Sequence, residues 1–177
     1  MVKKIILFLT YSLFFVLALI YFTPKVSLYY LLEQQMQSKG IVVSSEDIQD
    51  YGFYLGLKDA DISMESIESA QVAKIEMNLF VFYNSISFDE ITLSDTFKYF
   101  TPLHVESGNI VYSILNPLNI TAHATGEFGE LDAYFDLLEM SMHVNLKPSQ
   151  MMLKNHKATL NNFKKNENGE FTYDQTF

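Results

Sequence analysis

Cysteine, arginine and tryptophan are absent from this chain of 177 residues. The lack of cysteine excludes disulfides, thiol nucleophiles and thiolate metal ligands. Without arginine, no side chain offers the planar fork that binds phosphate or carboxylate in a bidentate manner. Acidic residues outnumber lysines, and the formal net charge is −9. We therefore predict no nucleic-acid partner, because an acidic surface repels the phosphate backbone.

One long uncharged run is present, from residue 5 to residue 24. At about 1.5 Å per residue it makes a helix of about 30 Å, which matches the hydrocarbon core of a bilayer. A cleaved signal peptide is the alternative, but its apolar region of about 7–15 residues should end at small side chains. This run ends in bulky aromatics, so we predict an uncleaved membrane anchor. Its residues include Ile5, Leu9, Phe14, Phe15, Leu19, Tyr21 and Phe22.

The lysines predict how the anchor is oriented. Lys3 and Lys4 lie at one end of the run, whereas Lys25 and Lys39 are spread out beyond the other. The positive-inside rule then places residues 1–4 in the cytoplasm and residues 25–177 in the periplasm of a single-pass inner-membrane protein. All 21 acidic residues and 12 − 2 = 10 lysines follow the anchor, so the outer domain carries 10 − 21 = −11.

A second helix is predicted directly after the anchor. Thr23-Pro24 favours a helix start, because Thr suits an N-cap and Pro the first helical position. This short amphipathic helix spans residues 25–39 and ends at Gly40. Its leucine stripe should cover the sheet that follows. The apolar residues of the stripe are Leu28, Leu31, Leu32 and Met36.

Beyond Gly40 the apolar residues recur with a period of two, which is typical of strands. The alternation is clearest from Ala73 to Val81. In the next alternating stretch, Asp89-Glu90 shifts the phase as a bulge would. Because short turns join successive strands, we predict a mainly β (α+β) fold in which residues 25–177 form one domain with a single curved, mostly antiparallel sheet.

One face of this sheet is predicted to be apolar. It is either the closed core of the domain or an open groove for lipid, and methionines suit a groove because they adapt to irregular chains. The residues of this face are Ile75, Met77, Leu79, Val81, Ile110, Tyr112, Ile114, Ile120, Phe135, Met140 and Met142.

The C-terminal part of the chain carries signals for a short helix and a hairpin. Pro148 ends a strand and allows a short helix through Met152. An Asn-Gly pair at residues 168–169 predicts a hairpin. Across it, Leu160 and Phe163 should pair with Phe171 and Tyr173.

No pattern of reactive residues predicts an enzyme, and we expect neither a metal site nor a cofactor. The four histidines lack the spacing of a metal motif. His123 and His143 flank the turn Gly126-Glu127-Phe128-Gly129, but a hairpin centred there opposes His123 to about residue 133 and leaves His143 about ten pairs away. The Asp59-Ala60-Asp61 sequence lacks the later ligands of a calcium loop.

The order of these elements resembles a known family. After the anchor and the Pro-started helix, Tyr51-Gly52-Phe53-Tyr54-Leu55-Gly56-Leu57-Lys58-Asp59-Ala60 resembles the opening of AsmA-like proteins and of type II secretion system protein N. The stretch Leu118-Asn119-Ile120-Thr121-Ala122, with the turn and Glu130-Leu131 after it, is similar to their strand–Gly–strand units. The ending Gly169-Glu170-Phe171-Thr172-Tyr173 is similar to the tail of the protein N group. The resemblance implies a curved periplasmic sheet, with an accessory secretion role or lipid contact.

Two functions remain open at this point. The first is a non-catalytic accessory subunit of an inner-membrane envelope or secretion complex, which docks against other envelope proteins. Its free sheet edges, residues 41–45 or 170–173, would add strands to a partner. The alternative is a groove that binds or transfers phospholipid.

Overall fold

The computed structural model describes residues 2–80, 82–166 and 169–177, and within them it contains four helices and eleven strands. The helices are α1 (Val2–Phe22), α2 (Lys25–Gln37), α3 (Gln150–Asn155) and α4 (Lys157–Leu160). The strands are β1 (Ile41–Ser44), β2 (Asp47–Asp50), β3 (Leu55–Met64), β4 (Ile67–Leu79), β5 (Tyr83–Leu93), β6 (His104–Ser113), β7 (Asn119–Gly126), β8 (Gly129–Asp136), β9 (Ser141–Pro148), β10 (Lys164–Lys165) and β11 (Phe171–Thr176).

The strands form one open antiparallel sheet in the order β1-β3-β4-β5-β6-β7-β8-β9-β11-β10. Strand β2 pairs with β3 beside β1, so β1 and β2 together make one border of the sheet. The predicted mainly β fold with a single antiparallel sheet is confirmed. The glycine-flanked turn after β7 is also confirmed, and it pairs Gly126 with Gly129.

The predicted phase shift at Glu90 is present, but it extends over several neighbouring strands. In β3, Leu57 and Ala60 are both buried, and Asp59 between them has a φ of 54°. Glu90 in β5 has a φ of 55°. In each of four neighbouring strands, the residues before and after one position are paired with their counterparts in the next strand. The four positions between them therefore lie in one row. The row consists of Asp59, Ala73, Glu90 and Glu106.

The alternation of faces changes phase at the same level in each of these strands. The pairing from β3 to β6 therefore stays in register across the row. At this row the register changes between β6 and β7, at Val105 and Ser107. Another shift lies between β3 and β4, at Ile62 and Ser63. Ala73 is exposed, so the alternation predicted from Ala73 onward in fact begins at Ile75.

Helix α2 covers the first strands through Tyr29. Of the predicted stripe, Met36 packs against this core, whereas the three leucines are exposed. Tyr29 and Lys25 are 1% and 0% exposed, whereas Leu31 is 60% exposed. The Tyr29 hydroxyl donates to a Glu46 carboxylate oxygen at 2.9 Å. Burial, and then this carboxylate, raise the pKa of Tyr29 above its ordinary value. The core around Tyr29 consists of Val43, Leu55, Leu57, Ala60, Val72, Ile75 and Met77.

A second core lies under α3 and α4 at the other part of the sheet. Ser149 caps α3 by accepting from the Met152 N–H at 3.1 Å, and Met152 is buried, so the short helix predicted after Pro148 is confirmed. Leu160 lies in α4 rather than in a strand, which corrects its predicted hairpin pairing. The hairpin itself pairs Lys165 with Phe171; Asn168 lies outside the described residues. The buried residues of this core are Phe128, Leu146, Met152 and Leu160.

Helix α1 is long and apolar enough to cross a membrane, and none of its described residues is buried. It ends at Phe22, two residues before the predicted end of the anchor. Strand β1 borders the sheet as predicted for residues 41–45. At the opposite border, β10 pairs with Phe171 and Thr172, so the free side of β11 begins after Thr172 and the predicted edge was only partly correct.

Candidate functional site

The apolar face of the sheet brings together residues from strands that are distant in the sequence. Ile110 pairs with Ile86 on one side and with Ala122 on the other. Ile120 pairs with Phe135, which in turn pairs with Met142. Directly paired residues of antiparallel strands point to the same face, so these side chains form one continuous apolar surface.

Part of this surface is covered by neither α2 nor the α3–α4 pair, and we call it the open strip; at its edge the centroid of the Phe177 ring lies 5.9 Å from that of the Phe135 ring. Its residues belong to neither core formed by the described residues. Ile110 is 38% exposed and the others are half-buried. Helix α2 covers the neighbouring part of β3–β5, and α3 and α4 cover the opposite half of β6–β9. The open strip consists of Leu79, Ile110, Tyr112, Ile120, Phe135 and Met142.

The other predicted residues of this face lie elsewhere. Ile75 and Met77 are 3% and 5% exposed and belong to the core under Tyr29. Ile114 and Met140 lie in turns, and both are exposed, at 52% and 48%. Val81 lies outside the described residues.

A cavity of about 350 Å³ opens where the open strip meets α2. This volume is in the range of small-molecule sites, and most of its wall is apolar. The sequence predicted Met77 and Leu79 for this face and placed Leu28 and Leu32 on the stripe of α2. It did not assign Phe80 and Ile86 to the site, and their signal is the uncharged stretch from residue 77 to residue 88. The apolar lining residues are Leu28, Leu32, Met77, Leu79, Phe80 and Ile86.

Lys25 joins the end of α1 to the sheet. Its ammonium donates to the backbone carbonyls of Ile20, Tyr21 and Thr23 at 2.9, 3.3 and 3.3 Å, and it lies 4.0 Å from Asp50. A cation at a helix C-terminus satisfies unpaired carbonyls and offsets the helix dipole. From the sequence, Lys25 was only a charge that flanks the anchor, and nothing there predicted that it is fully buried.

The same joint contains Tyr21, Gly52 and Thr23. The Tyr21 ring packs on Gly52, so closely that a Cβ at Gly52 would lie 2.2 Å from the ring. Tyr21 also meets Phe53, with ring centroids 5.6 Å apart. The Thr23 hydroxyl donates to the Leu19 carbonyl at 2.7 Å, so it continues the end of α1 and does not cap α2 as predicted.

The polar face of the sheet has a shallow concavity of about 620 Å³ that contains His123 and His143. The predicted separation of about ten pairs was wrong, because the chain turns again after Leu137 and returns His143 to a position beside Tyr134. Each histidine is paired with a carboxylate on the next strand. The Nδ1 atoms lie 2.7 Å from Asp132 and 2.6 Å from Asp174, respectively.

Ser141, His143 and Asp174 have the connectivity of a nucleophilic triad. His143 Nε2 lies 3.3 Å from the Ser141 hydroxyl, and its Nδ1 meets Asp174. Ser141 is 6% exposed, does not line the concavity and is flanked by paired residues of β8 and β11. A nucleophile must reach its substrate, so we assign these contacts to packing along β9 and to the pairing of β9 with β11.

Among the described residues, no group of three or more His, Asp or Glu side chains is arranged to hold a metal ion. No family model, curated protein or solved structure matches the chain. The resemblance to AsmA-like proteins and type II secretion system protein N therefore stays a prediction.

Proposed function

We propose that this protein is a membrane-anchored, non-catalytic protein that binds the acyl chains of a phospholipid along the open strip. The observation that supports this is the uncovered apolar surface between α2 and the α3–α4 pair, with Ile110 exposed at its centre. A soluble domain normally buries such a surface, and a contiguous uncovered patch marks a binding site. The apolar cavity beside α2 extends the strip towards the end of α1.

We further propose that α1 spans the inner membrane and that the sheet lies in the periplasm. The apolarity of α1 supports the span, and Lys3 and Lys4 support this orientation. The resemblance stated above supports the same compartment. A lipid that leaves the outer leaflet would then meet the cavity close to the point where α1 ends.

Photo-crosslinking tests the lipid proposal with a matched pair of neighbouring positions. p-Benzoylphenylalanine is placed at Phe135, in the open strip, or at Tyr134, which lies on the opposite face of β8. After irradiation of cell membranes, mass spectrometry should find phospholipid attached at residue 135 and not at residue 134. Equal attachment at both positions, or attachment at neither, would contradict lipid binding on this face.

Protein docking in an envelope or secretion complex is the second candidate. The observation that favours it is the unpaired side of β1, where Val42 is 39% exposed. An exposed edge strand offers backbone N–H and C=O groups to a strand of a partner. The same crosslinker at Val42 should capture an envelope protein, whereas at the buried Val43 it should capture none. With the crosslinker moved to the exposed Ser44 of the same strand, loss of capture after Val42→Pro, with the fold retained, would identify strand addition.

A further inference from the structure

Three uncharged segments of the chain converge around the end of α1. No Asp, Glu or Lys occurs at residues 26–32, 51–57 or 77–88, although charged residues make up 19% of the chain. The first segment is the start of α2, the second is the β2–β3 turn, and the third contains the β4–β5 turn. The contact between Tyr21 and Phe53 ties the second segment to α1. The cavity shared by Thr23 and Phe80 brings the third to the same place.

Each segment exposes large apolar side chains at this point. Tyr30 and Leu31 on α2 are 54% and 60% exposed, Phe53 is 45% exposed and Phe82 is 58% exposed. Phe22, the last residue of α1, is 79% exposed. Of these, Phe22 and Phe53 both pack against Tyr21. Exposed aromatic side chains have a high cost in water, since each buries a large apolar area when it is covered. We call these five residues the collar.

We propose that the collar seats in the interfacial layer of the membrane leaflet at which α1 ends. Aromatic side chains prefer this layer, where an apolar ring and a polar environment coexist. Lys25 is buried, and no lysine occurs in the three segments. The collar should therefore bind through apolar contact and not through attraction to anionic lipid. The inference rests on the anchoring part of the proposed function, and not on what the open strip binds.

Of the turns of the sheet, only those nearest α1 contribute residues to the collar. The reason is the twist of the sheet. Adjacent strands rotate by roughly 20°, so the β6–β7 and β8–β9 turns progressively point away from the membrane surface. Leu115 and Leu138, at these turns, are also exposed, at 93% and 75%. They lie outside the collar and serve as graded comparison sites.

The absence of cysteine makes a direct test possible on the full chain. Single variants Phe82→Cys, Tyr99→Cys and Phe14→Cys are labelled with an environment-sensitive fluorophore and reconstituted in phosphatidylcholine nanodiscs. Tyr99 is the matched control, since it is 75% exposed and lies in the β5–β6 connection at the opposite end of the strands. Phe14 reports whether α1 is inserted. Lipids that carry a quencher near the headgroup then measure the depth of each label.

The expected result is a blue shift and shallow-lipid quenching at residue 82, none at residue 99 and deep insertion at residue 14. If the label at residue 14 is inserted in the bilayer but the label at residue 82 is exposed to water, the proposal for the collar is overturned and the anchor is retained. A water-exposed label at residue 14 would overturn both. Phe53→Cys provides a second collar position, so that a local effect of replacing Phe82 is recognised.

Discussion

The Lys25 ammonium nitrogen lies 2.9 Å from the backbone carbonyl oxygen of Ile20, five residues earlier in the chain. The side chain therefore folds back over Pro24 and closes the end of α1, while its own backbone begins α2. Asp50, at 4.0 Å, ties the same ammonium to the β2–β3 turn. One lysine thus fixes three elements relative to one another, and the orientation of the sheet on its anchor depends on it.

Lys25→Met should loosen this joint, because it leaves the carbonyls of Ile20 and Tyr21 without their donor. The loss of hydrogen bonds from a charged donor predicts a destabilisation of about 1.5–3 kcal/mol. Amide hydrogen exchange of the β2–β3 turn in detergent should become faster. Lys74→Met is the control, since Lys74 forms only exposed ion pairs with Glu76 and Asp89 and should change stability by less than about 1 kcal/mol. Equal effects of the two variants would contradict the joint.

Gly52→Ala should displace Tyr21, since the added Cβ would lie 2.2 Å from the ring. The backbone φ of 83° adds a conformational cost of about 1–2 kcal/mol for any residue with a Cβ. Gly169→Ala separates the two effects, because Gly169 has a φ of 84° and, among the described residues that are not its chain neighbours, no atom lies within 4 Å of the added Cβ. In thermal unfolding, Gly52→Ala should be the more destabilising variant, and a smaller side chain at Tyr21 should recover the difference.

Ile75→Asp should destabilise the domain by at least about 3 kcal/mol, because it buries an unpaired carboxylate beside Tyr29. Ile75 is 3% exposed within that core. Glu76→Lys, one residue further on the polar face, should stay within about 1 kcal/mol, since it removes only an exposed ion pair with Lys74. Chemical denaturation of both variants measures the difference. Comparable losses would mean that the facing of β4 is wrong.

Tyr29 should make the domain less stable at alkaline pH. The pKa of Tyr29 is raised in the folded state. Its contribution to the free energy of unfolding is therefore complete below the unfolded pKa of about 10 and is lost as the pH rises above that value. The additional slope approaches about 1.4 kcal/mol per pH unit. Tyr29→Phe should remove this additional slope between pH 10 and 11, while the other tyrosines contribute equally to both proteins. Identical slopes would contradict the burial of an un-ionised Tyr29.

Fusion reporters test the proposed orientation of the anchor. Alkaline phosphatase fused after Phe177 should be active, because it requires the oxidising periplasm. Green fluorescent protein at the same place should be dark. A bright fluorescent fusion would place the sheet in the cytoplasm and leave the fold itself unaffected.

The sequence predicted those features that depend on neighbouring residues. The alternation from Ile75 to Leu79, the turn between Gly126 and Gly129 and the strand end at Pro148 each follow from a local pattern or from the backbone limits of Gly and Pro. The site was predicted to the same extent, since the register of consecutive hairpins aligns Ile110, Ile120, Phe135 and Met142 on one face.

Contacts between distant residues explain the failures. Tyr29 faces the core because Glu46, 17 residues later, accepts a hydrogen bond from its hydroxyl, and this partner outweighs the leucine stripe. His143 lies near His123 because of a second turn that a single-hairpin register ignores. Which part of the apolar face stays open depends on where α3 and α4 pack, and neither period nor composition specifies that.

The row of Asp59, Ala73, Glu90 and Glu106 constrains how this chain can change length over evolution. Deleting Glu90 alone would move one half of β5 out of step with both neighbours and turn Ile91 away from its core. Only a coordinated loss of one residue from every strand in the row would keep the pairs matched. Single-residue insertions and deletions should therefore be excluded from this level of the sheet and accumulate in the turns.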